Sequence, residues 1–288
     1  MSVILVTGSS TGIGQETALH MARKGHDVYG AVRSPETATE LKDLIAAEDL
    51  PVSVIKLDLV DPDSIVTAVA EIMARNGRID ALVNNAGIGG GRAVEETPMH
   101  EVREIFETNY FGNVNVLRAV TPIMRQQKSG RIVTVGSLAG RVVMGCHAHY
   151  SASKWAMEGL SEALAQEMAE FNVKVAIIEP GCVLTPIWGK GSLPTEPSPY
   201  LKSLQRLGRF FEFGLRRPAM PTDVASAIAH AIESDKPHFR YPVGPDAVES
   251  VAARAKVSDD EWIEANCLQG EAFSDRWLEL VGVDYYRD

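Results

Sequence analysis

The sequence predicts a doubly wound α/β fold: a seven-stranded parallel sheet with helices on both faces, in a single domain that carries a helical lid. Three observations lead there. Short runs of Val, Ile and Leu recur along the chain, separated by longer segments of helical period. The runs are apolar throughout rather than alternating, which suits strands covered on both faces by crossover helices. The length, 288 residues with 45% apolar and 23% charged, suffices for one large α/β domain and excludes a disordered, collagen-like or disulfide-scaffold chain.

The first six strands are read at residues 3–7, 28–32, 52–57, 81–83, 132–135 and 173–178. Helices fall between them. One runs over 12–24 and stops at Gly25, and one over 62–75 stops at Asn76 and Gly77. A third spans 151–171, with apolar Trp155, Leu160, Leu164 and Met168 at helical spacing. These βαβ units connect right-handedly, so the sheet is doubly wound. Beyond Trp188 the pattern breaks into Gly189-Lys190-Gly191-Ser192-Leu193-Pro194, with Pro197 and Pro199 following and an amphipathic stretch over 200–216. This segment, about 186–220, is read as an insertion forming a lid. Helix and strand signals resume at 222–233 and 239–243, the latter giving the seventh strand. From about 245 to 288 the chain is read as a helical extension, its span 258–281 carrying Trp262, Ile263, Phe273, Trp277 and Leu280.

Acidic side chains number 38 against 28 basic ones, a formal charge of -10, so phosphate-backbone binding has no electrostatic support and nucleic acid is not an expected partner. Cys146, Cys182 and Cys267 lie far apart without a C-x-x-C pair, which suggests neither zinc nor a disulfide framework and points to a reducing cytoplasm. The three are read as small buried apolar residues. No stretch approaches the roughly 20 apolar residues that span a bilayer. The N-terminal run reads as a strand rather than a signal peptide, because no basic region precedes it.

The first strand empties into Thr7-Gly8-Ser9-Ser10-Thr11-Gly12-Ile13-Gly14 and then a helix. Glycines there permit unusual φ and let backbone N–H groups approach a pyrophosphate, where the helix dipole favours negative charge. A Rossmann-type dinucleotide site follows from the position, although the G-x-x-x-G-x-G spacing departs from the common fingerprint. An acid holding the ribose 2′-hydroxyl of NAD is expected about 20 positions on, at the end of the second strand. Val32 and Arg33 stand there instead. Asp27 starts that strand and lies about 16 Å from its other end. An uncharged Val32 beside cationic Arg33 suits a 2′-phosphate, so NADP(H) is preferred and NAD(H) is possible.

Tyr150-Ser151-Ala152-Ser153-Lys154 sets a phenol and an ammonium four residues apart, on one face where a helix begins. A free phenol titrates near 10, so proton transfer around neutrality calls for stabilising the phenolate. The positive charge of Lys154 is expected to do this. Gly136-Ser137 places a hydroxyl at the carboxyl edge of the sheet, where ligands of doubly wound folds bind. His147 and His149, just before the tyrosine, are read as loop or helix-start residues. Val142, Val143, Met144 and Cys146, with Leu184 and Trp188, suggest an apolar pocket or ordinary core, and the aromatic run Phe210-Phe211-Glu212-Phe213 a lid edge, core or interface. No His, Cys and Glu cluster has metal-ligand spacing, so no metal is expected.

Taken in order, these motifs resemble the short-chain dehydrogenase/reductase family, in the single-domain subtype with a T-G-x-x-x-G-x-G turn. The match also includes Asp58 after the third strand, Asn84-Asn85-Ala86-Gly87 after the fourth, Asn109-Tyr110-Phe111-Gly112, Ser137, Tyr150 with Lys154, and Pro180-Gly181-Cys182-Val183-Leu184-Thr185 after the sixth. It covers residues 1 to about 188. The resemblance implies that Gly8, Ser10, Gly12, Ile13 and Gly14 form the pyrophosphate and ribose turn, that Arg33 meets the adenosine 2′-phosphate, and that Asp58 and Leu59 lie at the adenine edge. It implies that Asn85, Ala86 and Gly87 run beside the adenosine ribose, that Tyr150 and Lys154 also bind the nicotinamide ribose, and that Pro180, Gly181, Val183 and Thr185 form the nicotinamide wall. Asn109, Ser137, Tyr150 and Lys154 are the implied catalytic set, with Asn109 the helix-kinking residue of a proton relay, and substrate is expected against Ser137, Val143, Met144, Tyr150 and Trp188. The pattern is nearest to retinol and 17β-hydroxysteroid dehydrogenases, which favours a small hydrophobic carbonyl or alcohol as partner and a homodimer or homotetramer assembled through helices near 101–125 and 153–171. Two other classes share the fold: a dinucleotide-sensing regulator without turnover, against which the intact catalytic set argues, and a net non-redox isomerase.

Overall fold

Strands β1 (Val3–Thr7), β2 (Asp27–Val32), β3 (Val52–Lys56), β4 (Ala81–Asn84), β5 (Gly130–Val135), β6 (Val173–Pro180) and β7 (Arg240–Val243) lie in one parallel sheet, in the spatial order 3-2-1-4-5-6-7. The structure is a computed structural model that describes residues 1–189 and 198–282. Successive strand residues point to opposite faces, and the clusters follow that period of two. Val3 and Leu5 of β1 pack with Ile65, Ile72, Val116, Val120 and Met124, while Ile4 and Val6 pack with Ala18, Met21, Val224 and Ile228. One face is therefore covered by α3 (Pro62–Asn76), α5 (Asn113–Gln127) and α6 (Ala148–Ala169), and the other by α1 (Gly12–Arg23) and α8 (Pro221–Glu233). The inner strands are buried on both sides, which explains their continuous apolar runs, whereas the edge strands β3 and β7 are largely half-buried.

Local chemistry sets the helix ends. α3 starts at Asp61, whose carboxylate accepts the N–H groups of Asp63 and Ser64, and Pro62 occupies its first turn. It ends at Gly77, in the left-handed region at φ +69°. A π-helical turn (Glu107–Gly112) separates α4 (Met99–Phe106) from α5.

A third cluster lies beyond the carboxyl end of the sheet. α7 (Leu201–Arg216) supplies Leu207, Phe210 and Phe213, which pack with Leu138, Val142 and Met144 and with Trp262, Phe273 and Trp277 of the C-terminal helices. The predicted helical extension consists of α9 (Pro245–Arg254), α10 (Asp259–Cys267) and α11 (Gly270–Val281). Its 258–281 portion is two helices rather than one, broken where Leu268 and Gln269 are extended. α2 (Thr39–Glu48) was not anticipated; Leu41 alone of its residues is fully buried, so its apolar period is weak. Of the predicted lid, residues 190–197 lie outside the described residues. Among the described residues no helix is long and apolar enough to cross a membrane.

Candidate active site

The strand order reverses beside β1, so the loops after β1 and β4 meet at the carboxyl edge of the sheet, where doubly wound folds bind ligands. Thr7 fastens them together: its buried hydroxyl accepts the N–H groups of Asn85 (3.0 Å) and Ala86 (3.1 Å), and the Asn85 side chain donates back to the Thr7 carbonyl at 2.9 Å. Gly8 and Gly12 have φ +70° and +63°, a region that L side chains seldom adopt. A Cβ on Gly8 would sit 2.9 Å from Ala86 Cα, and one on Gly12 3.3 Å from the Thr185 side chain. Thr11 leaves the N-terminus of α1 without a side-chain cap, and no acidic residue occupies its first turn. The turn thus presents helix N–H groups and a positive dipole end to a space from which side chains are excluded, a cradle that fits a pyrophosphate. Ser10, Ile13 and Gly14 lie on the same turn.

At the end of β2, Arg33 is exposed, with no hydrogen-bond or ion-pair partner among the described residues. Asp27, at the other end of that strand, accepts a hydrogen bond from Asn76 at 2.7 Å. Asp58 caps its own loop, accepting the Val60 N–H at 3.2 Å. The Leu59 side chain is buried in the core against Gly112, so only its backbone is free to meet a ligand.

Ser137 follows β5, and Tyr150 and Lys154 stand in the first turns of α6. The Lys154 ammonium donates to the Val135 carbonyl at 3.1 Å and lies 5.7 Å from the centroid of the Tyr150 ring. Ser153 links this helix to the π-helical turn: its hydroxyl donates to the Tyr150 carbonyl (2.7 Å) and accepts from the Asn109 amide (3.1 Å). Asn109 is held on both sides of its amide, donating to the Ile88 carbonyl and accepting the Ile88 N–H, while its own carbonyl accepts from Asn113 at 2.9 Å. The structure therefore brings Asn109, Ser137, Tyr150 and Lys154 to one place. Ser153 and Asn113, which hold that place together, were missed; the i, i+4 spacing of Asn109 and Asn113 was the available signal.

The electrostatics differ from the expectation in one respect. Burial pushes the Tyr150 phenol above its ordinary value, and the hydrogen-bonding interaction with Ser137 works in the opposite direction. Lys154 is itself depressed to about 8 by burial, against which Glu158, one turn further along α6, pulls it up. Within the protein alone, burial raises the phenol, and Ser137 rather than Lys154 opposes it.

Three rings continue from the phenol. His147 stacks on Tyr150 with centroids 4.7 Å apart and planes 23° from parallel, Phe211 of α7 meets His147 edge-on at 5.4 Å, and Trp188 meets Phe211 at 5.1 Å. Trp188 is anchored by its indole N–H, which donates to the Val183 carbonyl at 2.7 Å. His147, read from sequence as a loop or helix-start residue, does begin α6, and it also forms part of this wall. Phe210 and Phe213 belong to the core cluster, while Phe211 meets His147, the ring stacked on the tyrosine. Met144 is buried in the same cluster, whereas Val143 is 40% exposed. Pro180, Gly181, Val183 and Thr185 line the chain leaving β6, and Val183 bridges Ala219. Cys146 and Cys182 are buried, but Cys267 is exposed.

The pattern of a short chain dehydrogenase matches residues 2–193. The chain belongs to the short-chain dehydrogenase/reductase family. It is 37% identical to oxidoreductase BOA17 of Botryotinia fuckeliana (90% of this chain, 96% of that one) and 34% identical to 3-ketodihydrosphingosine reductase of Bacteroides thetaiotaomicron (93% and 95%). A short-chain dehydrogenase from Streptomyces avermitilis shares the fold at a TM-score of 0.82 and 37% identity, covering 91% of this chain and 95% of that one. As a member of the short-chain dehydrogenase/reductase family, the protein is an oxidoreductase with the family's Rossmann-type sheet.

Proposed function

We propose that this protein is an NADP(H)-dependent oxidoreductase acting between a hydrophobic secondary alcohol and its ketone, or an aldehyde, of retinoid- or steroid-like character. The convergence of Ser137, Tyr150, Lys154 and Asn109 beside the glycine cradle carries this reading. A nicotinamide dinucleotide would be held by Gly8, Ser10, Gly12, Ile13 and Gly14 at its pyrophosphate, by Asp58, Asn85, Ala86 and Gly87 along the adenosine, by Tyr150 and Lys154 at the nicotinamide ribose, and by the wall from Pro180 to Thr185. When bound, it supplies or takes up the hydride.

The protein's own groups handle the oxygen and the proton. Ser137 and Tyr150 donate hydrogen bonds to the substrate oxygen and stabilise charge developing there. Tyr150 gives up its phenolic proton to that oxygen during reduction and takes it back during oxidation. Lys154 sits between the Val135 carbonyl and Gly87, beside Asn109, and the pair restores the proton from solvent.

Preference for NADP(H) rests on Arg33, whose guanidinium suits a phosphate dianion. Preference for an apolar substrate rests on Val143, Trp188, Phe211 and His147. Burial depresses His147 to about 4, so this part of the wall is uncharged at neutral pH. The Bacteroides relative is named as a reductase of 3-ketodihydrosphingosine, a ketone, in keeping with a carbonyl substrate. The enzyme is read as cytoplasmic, free of a resident metal, and a homodimer or homotetramer, with exposed Phe111 and Trp155 on the assembly helices.

The test is a panel of carbonyls and alcohols followed by nicotinamide absorbance with both coenzymes. NADPH oxidation with hydrophobic ketones is expected. Absence of turnover on any carbonyl or alcohol, with coenzyme bound, would favour a sensing regulator instead.

A further inference from the structure

Asp246 is a buried carboxyl, 2% exposed, that the proposed chemistry does not use. It stands in the first turn of α9, yet its Oδ2 reaches back to the loop after β6 and accepts the Cys182 N–H at 2.7 Å. Burial pushes both the Asp246 carboxyl and the Cys182 thiol above their ordinary values, and the neighbouring carboxyl raises the thiol further. Burying a carboxyl is costly unless it is held by donors. Here three elements make room for it. A Cβ on Gly181, in the loop after β6, would run into the carboxylate; one on Gly214, in α7, would strike Cys182 Sγ and come 3.0 Å from Asp246 Oδ2; one on Gly244, after β7, would come 2.9 Å from Oδ1.

The loop it holds is the predicted nicotinamide wall. Gly181 donates to the Val243 carbonyl (2.9 Å), Ala219 donates to the Cys182 carbonyl (2.9 Å), and Leu184 donates to the Ala219 carbonyl (3.0 Å). Of the three loop N–H groups bonded here, those of Gly181, Cys182 and Leu184, only that of Cys182 donates to a side chain. Asp246 is thereby the point where the wall, α7 and the C-terminal helices meet.

We propose that Asp246 is a positioning residue, a staple that sets the Gly181 and Cys182 backbone against α7 and so fixes the wall on which the nicotinamide rests. The proposal rests on the reading that residues 180–185 form that wall. It requires that loosening the staple loosen the wall in the free protein and weaken coenzyme binding together.

Hydrogen–deuterium exchange of the full chain, with NADPH affinity measured by fluorescence titration, tests it. Asp246→Ala is expected to raise exchange over residues 180–188 and 201–216 about tenfold and to raise the Kd for NADPH by a similar factor. Asp246→Asn keeps both the volume and an acceptor oxygen, and should restore both readouts to within about threefold of the parent. Gly214→Ala crowds the carboxyl from α7 and should loosen 180–188 without altering Asp246. If Asp246→Ala does not fold, the other two decide: rescue by Asn together with loosening by Gly214→Ala supports the staple. Unchanged exchange in Gly214→Ala, or Asn behaving like Ala, overturns it. Raised exchange at unchanged NADPH affinity would make Asp246 merely structural and also overturn the proposal. Parent protein that binds no dinucleotide would instead remove the underlying functional reading, and would be seen before any variant is made.

Discussion

The Tyr150 phenol is where local chemistry and function press in opposite directions. Burial raises it, which keeps the proton in place through neutral pH and suits an acid that protonates a reduced carbonyl. Lys154, depressed to about 8, retains most of its charge at neutrality and lies close enough to the ring to favour phenolate once the proton has left. Tyr150→Phe removes one hydroxyl from this arrangement and leaves the ring stacked on His147. It should lower kcat by at least about 100-fold, the scale of positioned acid catalysis, with the Kd for NADPH nearly unchanged. Steady-state rates with parallel binding titrations check this, and an active Phe variant would remove Tyr150 from its role. Arg33 offers a second test, because it is exposed and no described residue competes for it. Arg33→Ala should weaken NADPH by about 10- to 100-fold, the value of a charge-assisted hydrogen bond, and NADH far less. Equal losses for the two coenzymes would remove the phosphate contact.

At the scale of elements, α7 is the segment whose two faces have separate duties. Phe210 and Phe213 anchor it to the C-terminal helices, while Phe211 joins His147 to Trp188 in the row of rings that begins at Tyr150. Phe211→Ala should therefore raise KM for an apolar ketone about tenfold or more, the worth of burying one aromatic ring, while kcat with a small ketone stays within about threefold. A loss in kcat alone, equal for both substrates, would mean that the ring does not line the substrate space. The same helix shows where sequence reading stops. Strands buried on both faces and helices with strong punctuation, such as α3 between Asp61 and Gly77, are legible because their cause is local. The glycine turn, Ser137, Tyr150 and Lys154 are legible because the order of motifs along the chain is itself informative. Which of three neighbouring phenylalanines faces the site, or that Asp246 reaches the loop 64 residues before it, depends on partners distant in sequence. The break at Leu268 in the C-terminal helices escaped notice because the apolar spacing continues through it.

At the scale of the whole molecule, two titratable groups near the site impose opposite dependences of stability on pH. His147, ordinarily near 6.5, is held at about 4 by burial, so between those values the unfolded chain carries a proton that the folded one does not. Its contribution is complete above pH 6.5 and is lost as pH falls toward 4. Glu158, ordinarily near 4.5, is pushed up to about 7 by burial and by Glu179, with Arg240 and Arg141 opposing. Here the folded state holds the proton that the unfolded one has released, so its contribution is complete below 4.5 and is lost as pH rises through 7. Each effect is on the order of 1–3 kcal/mol over its range. Between about pH 5 and 6.5 they offset, and the urea midpoint of the parent protein should change little. His147→Phe keeps a ring against Tyr150 and Phe211 but does not titrate, so its midpoint, relative to the parent, should fall as pH rises across that window. Glu158→Gln, still able to accept from Arg240, should show a midpoint that rises with pH relative to the parent. Taking each variant against the parent cancels the titration of groups that do not interact with the changed residue, so midpoints that track the parent in parallel would mean that neither residue carries its shift into folding. Opposite slopes would establish that the neutral wall beside Tyr150 and the acidic network behind Lys154 are paid for by the fold as a whole.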